Sequence, residues 1–327
     1  MPPLPRLAQC LRRPSCPWAA LLLCLLAARC LADAPLRIGD QNGLTQALLQ
    51  ASGEDRGLDP APVWHPFGTG PALLEALNAD AIDLGVVGNA PPVFAQAGGY
   101  AVRIIGAAEG AQTNNALLVP GDSPIRRLED LRGQRIGVAK GSSGHYLLLA
   151  ALARAGLGMD DVQVRYVSPL DGQTAFASGH LDAWAVWYPF VGQATSRGAR
   201  VLADGTPWPE TGLNFTLASE RALADPRRRD RLGDLLQRLA RAQVWATAHP
   251  RDWARALVAA TRLPAPLVEE MLDRQALRYV PLDARVIALQ QRLADAFFAA
   301  RLIPRQLQVE AAFDPRFDPL LPPASPH

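Results

Sequence analysis

The chain has 327 residues, 49% of them hydrophobic and 20% charged, with 33 basic side chains against 31 acidic ones. That length and apolar content exclude a disordered chain or a disulfide-stapled miniature, and they leave room for two domains with sizeable cores. The near balance of charge excludes the basic footprint of a nucleic-acid or membrane-surface binder.

In chain order, Arg6, Arg12 and Arg13 precede an apolar stretch from Trp18 to Ala28, which is too short to span a bilayer. Small residues follow in Cys30-x-Ala32 and Ala32-x-Ala34, so residues 1–32 are expected to be a secretory signal peptide. Cleavage is placed after Ala32, because a cut after Ala34 leaves Pro35 at the new N-terminus. Arg12-Arg13 lacks the rest of a twin-arginine pattern, and Arg29 before Cys30 makes a poor lipoprotein context, which leaves ordinary Sec export. All four cysteines (Cys10, Cys16, Cys24, Cys30) lie in that leader, so a mature chain would hold no disulfide and no thiolate metal site. Losing Arg6, Arg12, Arg13 and Arg29 leaves 29 basic residues against 31 acidic, a net charge of about −2. The expected destination is the bacterial periplasm.

Residues 36–39 read as a short strand and 44–50 as the start of a helix. A helix over 71–78 leads to a strand over 81–87, almost continuously apolar and therefore buried. Asn89 is a plausible N-cap for a helix through Phe94. Strands are expected over 102–106 and 115–119, and Ser123-Pro124 predicts a helix that Gly133 ends. Strand 135–139, helix 145–155 closed by Gly156, strand 162–167, helix 172–177 and strand 183–187 follow. After Gly212 helices dominate. One opens at Asp225-Pro226 with Leu232, Leu235, Leu236, Leu239 and Trp245 on one face. Others are expected over 250–260, 266–275 and 283–301. From Arg305 the chain is Pro-rich and aperiodic, a loose or wrapping tail.

Part of this pattern occurs twice. Arg37-Ile38-Gly39-x-x-x-Gly43 recurs as Arg135-Ile136-Gly137-x-x-x-Gly141, and residues 76–89 (ALNADAIDLGVVGN) are echoed by 175–188 (AFASGHLDAWAVWY). Strands alternating with helices imply an α/β fold, each unit a mixed β-sheet flanked by helices, with a cleft between two lobes. Lobe I is expected over 36–120 plus 213–304 and lobe II over 121–212, with two strand-like crossovers as a hinge and 305–327 as the tail. Ligands of open α/β sheets settle at the carboxyl ends of strands. The expected function is therefore capture of a ligand between the lobes.

Four loops end strands at matching places: 40–43, 88–91, 139–145 and 187–190. The turn Lys140-Gly141-Ser142-Ser143-Gly144-His145 holds the chain's single lysine and opens a helix. The first N–H groups of a helix lack intrahelical partners and carry the positive end of its dipole, which suits an oxyanion. Ser142 and Ser143 add hydroxyls and His145 a ring N–H, while Gly88-Asn89-Ala90-Pro91 makes a second helix start in lobe I. The plain alternative is an ordinary strand-to-helix turn with a Ser cap. Trp184 and Trp187, three apart on one strand, face opposite ways. One belongs in the core; the other can floor a pocket, extended by Tyr188 and Phe190.

Enzyme signals are thin. Ser143 and His145 are too close in sequence for a triad, no Gly-x-Ser-x-Gly elbow occurs, and the Lys140 turn lacks P-loop spacing. The five histidines (65, 145, 180, 249, 327) are scattered, so neither a metal nor another cofactor is expected. Glu109, Asp83 and Asp182 are single acids, and the last two read as caps of turns before strands.

The runs 87–96 (VGNAPPVFAQ), 140–146 (KGSSGHY) and Leu181-Asp182-Ala183-Trp184-x-x-Trp187-x-Pro189 resemble the aliphatic-sulfonate-binding proteins of ABC importers. Residues 203–206 (ADGT) and 281–283 (PLD) fit the same pattern, and the resemblance runs from about 36 to 304. It implies a two-lobe, type II periplasmic-binding-protein-like fold. It also implies a monomer that hands its ligand to a membrane permease and its ATPase. By this resemblance the sulfonate head lies against the backbone of Gly88, Asn89 and Ala90 and of Ser142 and Ser143. Gln41 and Asn214 are placed nearby and Trp187 beside the tail. Relatives on this fold bind taurine, nitrate or thiamine-precursor pyrimidines, and a few are cofactor-biosynthesis enzymes. Two departures stand out: Tyr188 where the family commonly has an acid, and Gly39-Asp40-Gln41-Asn42-Gly43 where it often has Gly-Tyr-Gln-Lys-Gly. Without the acid, an alkane- or arylsulfonate lacking an ammonium group is the expected ligand.

Overall fold

The computed structural model describes residues 34–275 and 277–321. The expected leader, its cleavage site, all four cysteines and residues 322–327 lie outside the described residues.

Strands β1 (Arg37–Gln41), β2 (Val63–Phe67), β3 (Leu84–Gly88), β4 (Val102–Glu109), β5 (Asn115–Val119), β6 (Arg135–Val138), β7 (Gln163–Tyr166), β8 (Ala183–Trp187), β9 (Arg200–Asp204), β10 (Leu213–Ser219) and β11 (Arg278–Val280) form two sheets. The first runs β11-β4-β10-β3-β1-β2 and the second β7-β6-β8-β5-β9. In the first, β1 is parallel to β2 and β3, and β10 pairs antiparallel with β3 and β4. In the second, β6 is parallel to β7 and β8, and β5 pairs antiparallel with β8 and β9. Each lobe is thus a mixed sheet with the same central pattern.

The repeated sequence now has a physical reading, position by position. Arg37 and Arg135 open their strands and grip Asp83 and Asp182, each through a backbone N–H and two guanidinium nitrogens. The acids that looked like turn caps therefore fasten each first strand to the turn before the third. Ile38 and Ile136 are fully buried in their cores. Gly39 and Gly137 lie where a Cβ would come within 2.6 Å of Ile82 and 2.4 Å of Leu181. Gly43 and Gly141 take φ of 75° and 72°, a turn glycine tolerates without strain.

Several expectations are corrected. The helix predicted over 124–132 is only the 3-10 turn Leu128–Leu131. Asp130 accepts the N–H groups of Arg126 and Arg127, and Ser123 caps only the turn at Ile125. β5 belongs to the second sheet, so the first crossover lies at 110–114 rather than after Pro120. The helix Ala265–Gln275, assigned to lobe I, instead places Leu267 and Met271 in the second lobe's cluster with Tyr188, Phe190 and Val191. The Pro-rich tail is tied down as far as residue 321. Phe313 bridges to Ile104, Asp314 donates its N–H to the Ile104 carbonyl at 2.8 Å, and Phe313 and Phe317 are buried.

Candidate functional site

The carboxyl ends of β1, β3 and β8 and the starts of β5 and β10 enclose a cavity of about 190 Å³. Of the residues singled out from sequence, Gln41, Gly88, Ser142, Ser143, Trp187, Tyr188 and Asn214 line it. Among the described residues, no Asp, Glu, Lys, Arg or His lines it. Its described lining is uncharged and offers backbone, amide and hydroxyl dipoles to a charged ligand.

The open helix start comes from the second lobe. Ser142 caps the helix Ser143–Arg154: its Oγ accepts the His145 N–H at 3.2 Å and donates to the Ala139 carbonyl at 2.7 Å. That hydroxyl is therefore engaged in the turn. The N–H groups of Ser143 and Gly144 have no partner among the described residues, at the positive end of the helix dipole. Gly144 packs so tightly on β8 that a Cβ would meet the Ala185 carbonyl oxygen at 2.9 Å, which seats the helix start on the strand.

The helix start in the first lobe is built differently from that in the second. Pro91 and Pro92 fill the first two positions of the helix Pro91–Ala97 and have no N–H to offer. The helix Leu44–Ser52 is closed by its own chain, since the buried Asp40 carboxylate accepts the N–H groups of Thr45 and Gln46, both at 3.0 Å. In the second copy the matching residue is Val138, which leaves that helix start open. The N–H groups of Asn89 and Ala90, just before the helix Pro91–Ala97, have no partner among the described residues. Unpaired donors are therefore not confined to the second lobe, and the first lobe also supplies a lid. Gly88 is its contact point: a Cβ there would fall 2.2 Å from Ser143 Oγ.

The remaining residues divide into two groups. Gln41 donates to the Val86 carbonyl at 2.8 Å, and Asn214 to Gly212 at 3.4 Å, so both amides are oriented by backbone. Trp184 is a core residue, whereas Trp187 is half-buried, lines the cavity and meets Phe190 edge-on. Tyr188 lines the cavity with its hydroxyl donated to Glu270 Oε1 at 2.6 Å. Asn89, Ala90 and His145 are fully buried and do not line it. Asn89 donates to the Glu210 carbonyl at 2.7 Å, and its own carbonyl accepts Gln290 at 2.8 Å. Ala90 is the buried N-cap position of the helix Pro91–Ala97. His145 accepts the Gly141 N–H on Nδ1 at 3.2 Å and packs among Phe94, Tyr166 and Phe297, beneath the turn rather than in it.

Two features were missed from sequence. Asn115 is 2% exposed, lines the cavity beside Trp187 across the β5–β8 pairing, and its Oδ1 has no partner among the described residues. The only signal for it was its place at a strand start. The second is a buried polar knot centred on Glu210, whose carboxylate takes the Tyr146 hydroxyl and lies 3.6 Å from Arg292. With Asn89 and Gln290 it joins both lobes and the helix Ala284–Ala299 just before the second crossover. Burial and then the neighbouring Glu210 carboxylate raise the Tyr146 pKa, so the phenol remains a donor.

Burial, and then the charge of Lys140, lower the His145 pKa to about 4. Unfolded chains bind that proton near pH 6.5, so the unfolded state holds more protons between those values and stability must fall as pH drops. Urea midpoints measured from pH 7 down to pH 4 should show this loss, with a slope of at most about 1.36 kcal/mol per pH unit from this group. His145→Phe should flatten the slope.

A family model described as NMT1/THI5-like matches residues 68–252. An Escherichia coli (strain K12) protein named for binding aliphatic sulfonates is 40% identical over 283 residues, 84% of this chain and 86% of that one. The chain belongs to the aliphatic-sulfonate-binding family. Among solved structures of this family, the alkanesulfonate-binding protein SsuA from Xanthomonas axonopodis pv. citri, bound to MOPS, superposes with a TM-score of 0.79 at 38% identity. It is matched over 86% of this chain and 98% of that one. The periplasmic aliphatic sulphonate-binding protein SsuA from Escherichia coli follows at a TM-score of 0.75 and 35% identity, covering 86% and 92%. These close relatives are binding proteins of the periplasmic-binding-protein fold. In this member of the aliphatic-sulfonate-binding family, the cavity lies at the ends of the repeated strands.

Proposed function

We propose that this protein captures a sulfonate, alkane- or aryl-substituted, between its lobes and delivers it to an ABC permease and its ATPase. The carrying observation is a cavity with no Asp, Glu, Lys, Arg or His among its described lining residues, beside a helix start whose first N–H groups have no partner among the described residues. A sulfonate is a singly charged, weakly basic anion with three acceptor oxygens. Fixed N–H donors satisfy it, and each costs about 1–3 kcal/mol if left unpaired once the cleft is shut. The site residues are Gln41, Gly88, Ser142, Ser143, Trp187, Tyr188 and Asn214, with Asn115 added. Ligand selects the closed arrangement by binding it better than the open one. The protein works as an exported monomer, its leader removed, in the periplasm.

Taurine is disfavoured. Tyr188 replaces the family's acid, and its hydroxyl is already donated to Glu270. An ammonium group would be buried without a carboxylate partner in the lining. Titration calorimetry should give tighter binding of 1-butanesulfonate than of taurine; the reverse order sinks this reading. The butanesulfonate affinity should also stay constant between pH 6 and 9, because the ligand stays ionised and no Asp, Glu, Lys, Arg or His is among the described lining residues. A bell-shaped profile would mean that an ionisable residue takes part.

A further inference from the structure

The cavity extends well beyond the anion cradle. It continues into the first lobe among the helices Leu44–Ser52, Pro226–Ala248 and Pro250–Thr261, where Leu44, Leu48, Leu239, Trp253, Leu257 and Leu277 line it. Leu48, Leu239 and Leu257 are buried core positions, yet they present surface to this space. The hydroxyls of Thr216 and Tyr279 at this end satisfy each other at 2.9 Å and so ask little of a ligand. The whole cavity, about 190 Å³, exceeds the ~150 Å³ of an apolar protein cavity that houses benzene. A sulfonate with a one-carbon tail would fill only the cradle and leave the apolar arm without contacts on one side.

We infer that this arm is the tail subsite and that it selects sulfonates with an aromatic ring or a comparably bulky hydrocarbon. The inference rests on the sulfonate reading above and adds where the tail goes: into the first lobe, among its helices. Leu44, half-buried on the first turn of its helix, is the adjustable wall. Affinities of the mature chain for methanesulfonate, benzenesulfonate and 2-naphthalenesulfonate test it, with Leu44→Trp to fill the arm and Leu44→Ala to enlarge it. Wild-type protein should bind benzenesulfonate at least ~10-fold more tightly than methanesulfonate. Leu44→Trp should lose about that factor for benzenesulfonate and stay within about twofold for methanesulfonate. Leu44→Ala should favour the naphthyl ligand over the phenyl one relative to wild type. Equal affinity of wild type for methane- and benzenesulfonate overturns the tail subsite, as do variants that shift all three ligands together. Wild-type protein that binds none of them overturns the sulfonate reading itself, a separate outcome.

Discussion

Gly88→Ala should lower sulfonate affinity about 100-fold while leaving the unliganded chain within about 1 kcal/mol of wild-type stability. The added methyl would fall 2.2 Å from Ser143 Oγ but at an ordinary 3.5 Å from Ser143 Cβ. The clash is with the hydroxyl alone. It can be relieved by turning the serine away or by holding the lobes apart, and either removes a donor from the cradle. Without ligand, a slight opening costs little, so stability is spared. A double-mutant cycle separates this from general damage. Ser143→Ala removes the obstacle, so it should cost less in the Gly88→Ala background than in wild type. Calorimetric titration of the four proteins measures that coupling. Additive losses, or an unchanged affinity for Gly88→Ala, would mean that the lobes do not close through this contact.

Asp83→Asn should destabilise the protein by about 3–5 kcal/mol, several times more than Asp182→Asn at about 1 kcal/mol. The two acids occupy matching places in the repeat and make matching bonds, but their surroundings differ. Asp83 is 0% exposed and answers both Arg37 at 2.7 Å and Arg228 at 2.6 Å. Neutralising it would leave two guanidinium groups facing a buried amide. Asp182 is partly exposed and, among the described residues, answers only Arg135, so water can replace what is lost. Burial by itself would raise the Asp83 pKa, but the Arg37 hydrogen bonds and the Arg228 charge outweigh it and hold the carboxyl below its usual value. A group lowered on folding stabilises above its unfolded pKa and ceases to as pH falls below it. Urea unfolding at pH 7 and near pH 3 should therefore show the Asp83→Asn deficit shrinking with acid. Equal effects of the two substitutions would contradict this account of the repeat.

What could be read from the sequence was local and repeated. Arg37-Ile38-Gly39-x-x-x-Gly43 and its copy carry ion-pair, core, close-packing and turn positions within one strand and its turn, so spacing alone exposes them. Ser142 as an N-cap was equally legible, because a cap bonds within its own turn. The missing N–H groups of Pro91 and Pro92 were visible too, and leave Asn89 and Ala90 as the backbone donors before that helix. Edge strands β2, β9 and β11 were passed over. β2 carries Pro66 and a half-exposed pattern, and β11 is only Arg278–Val280, so neither shows clean alternation. The rest depends on partners far away in the chain. Tyr188 finds Glu270, Asn89 finds Glu210 and Gln290, and Gly88 meets Ser143. No periodicity reports such pairs. His145 sits in the right turn yet faces down into Phe94 and Phe297, a direction that spacing does not encode.

Thermal unfolding of the mature chain against methane-, butane- and benzenesulfonate, taurine, sulfate, nitrate and a thiamine pyrimidine would show whether it captures sulfonates. A ligand at about 100 times its dissociation constant adds roughly 2.7 kcal/mol, a clear rise in midpoint. That rise is expected with the sulfonates that lack an ammonium group. A rise confined to nitrate or to the pyrimidine would keep the fold and contradict the ligand.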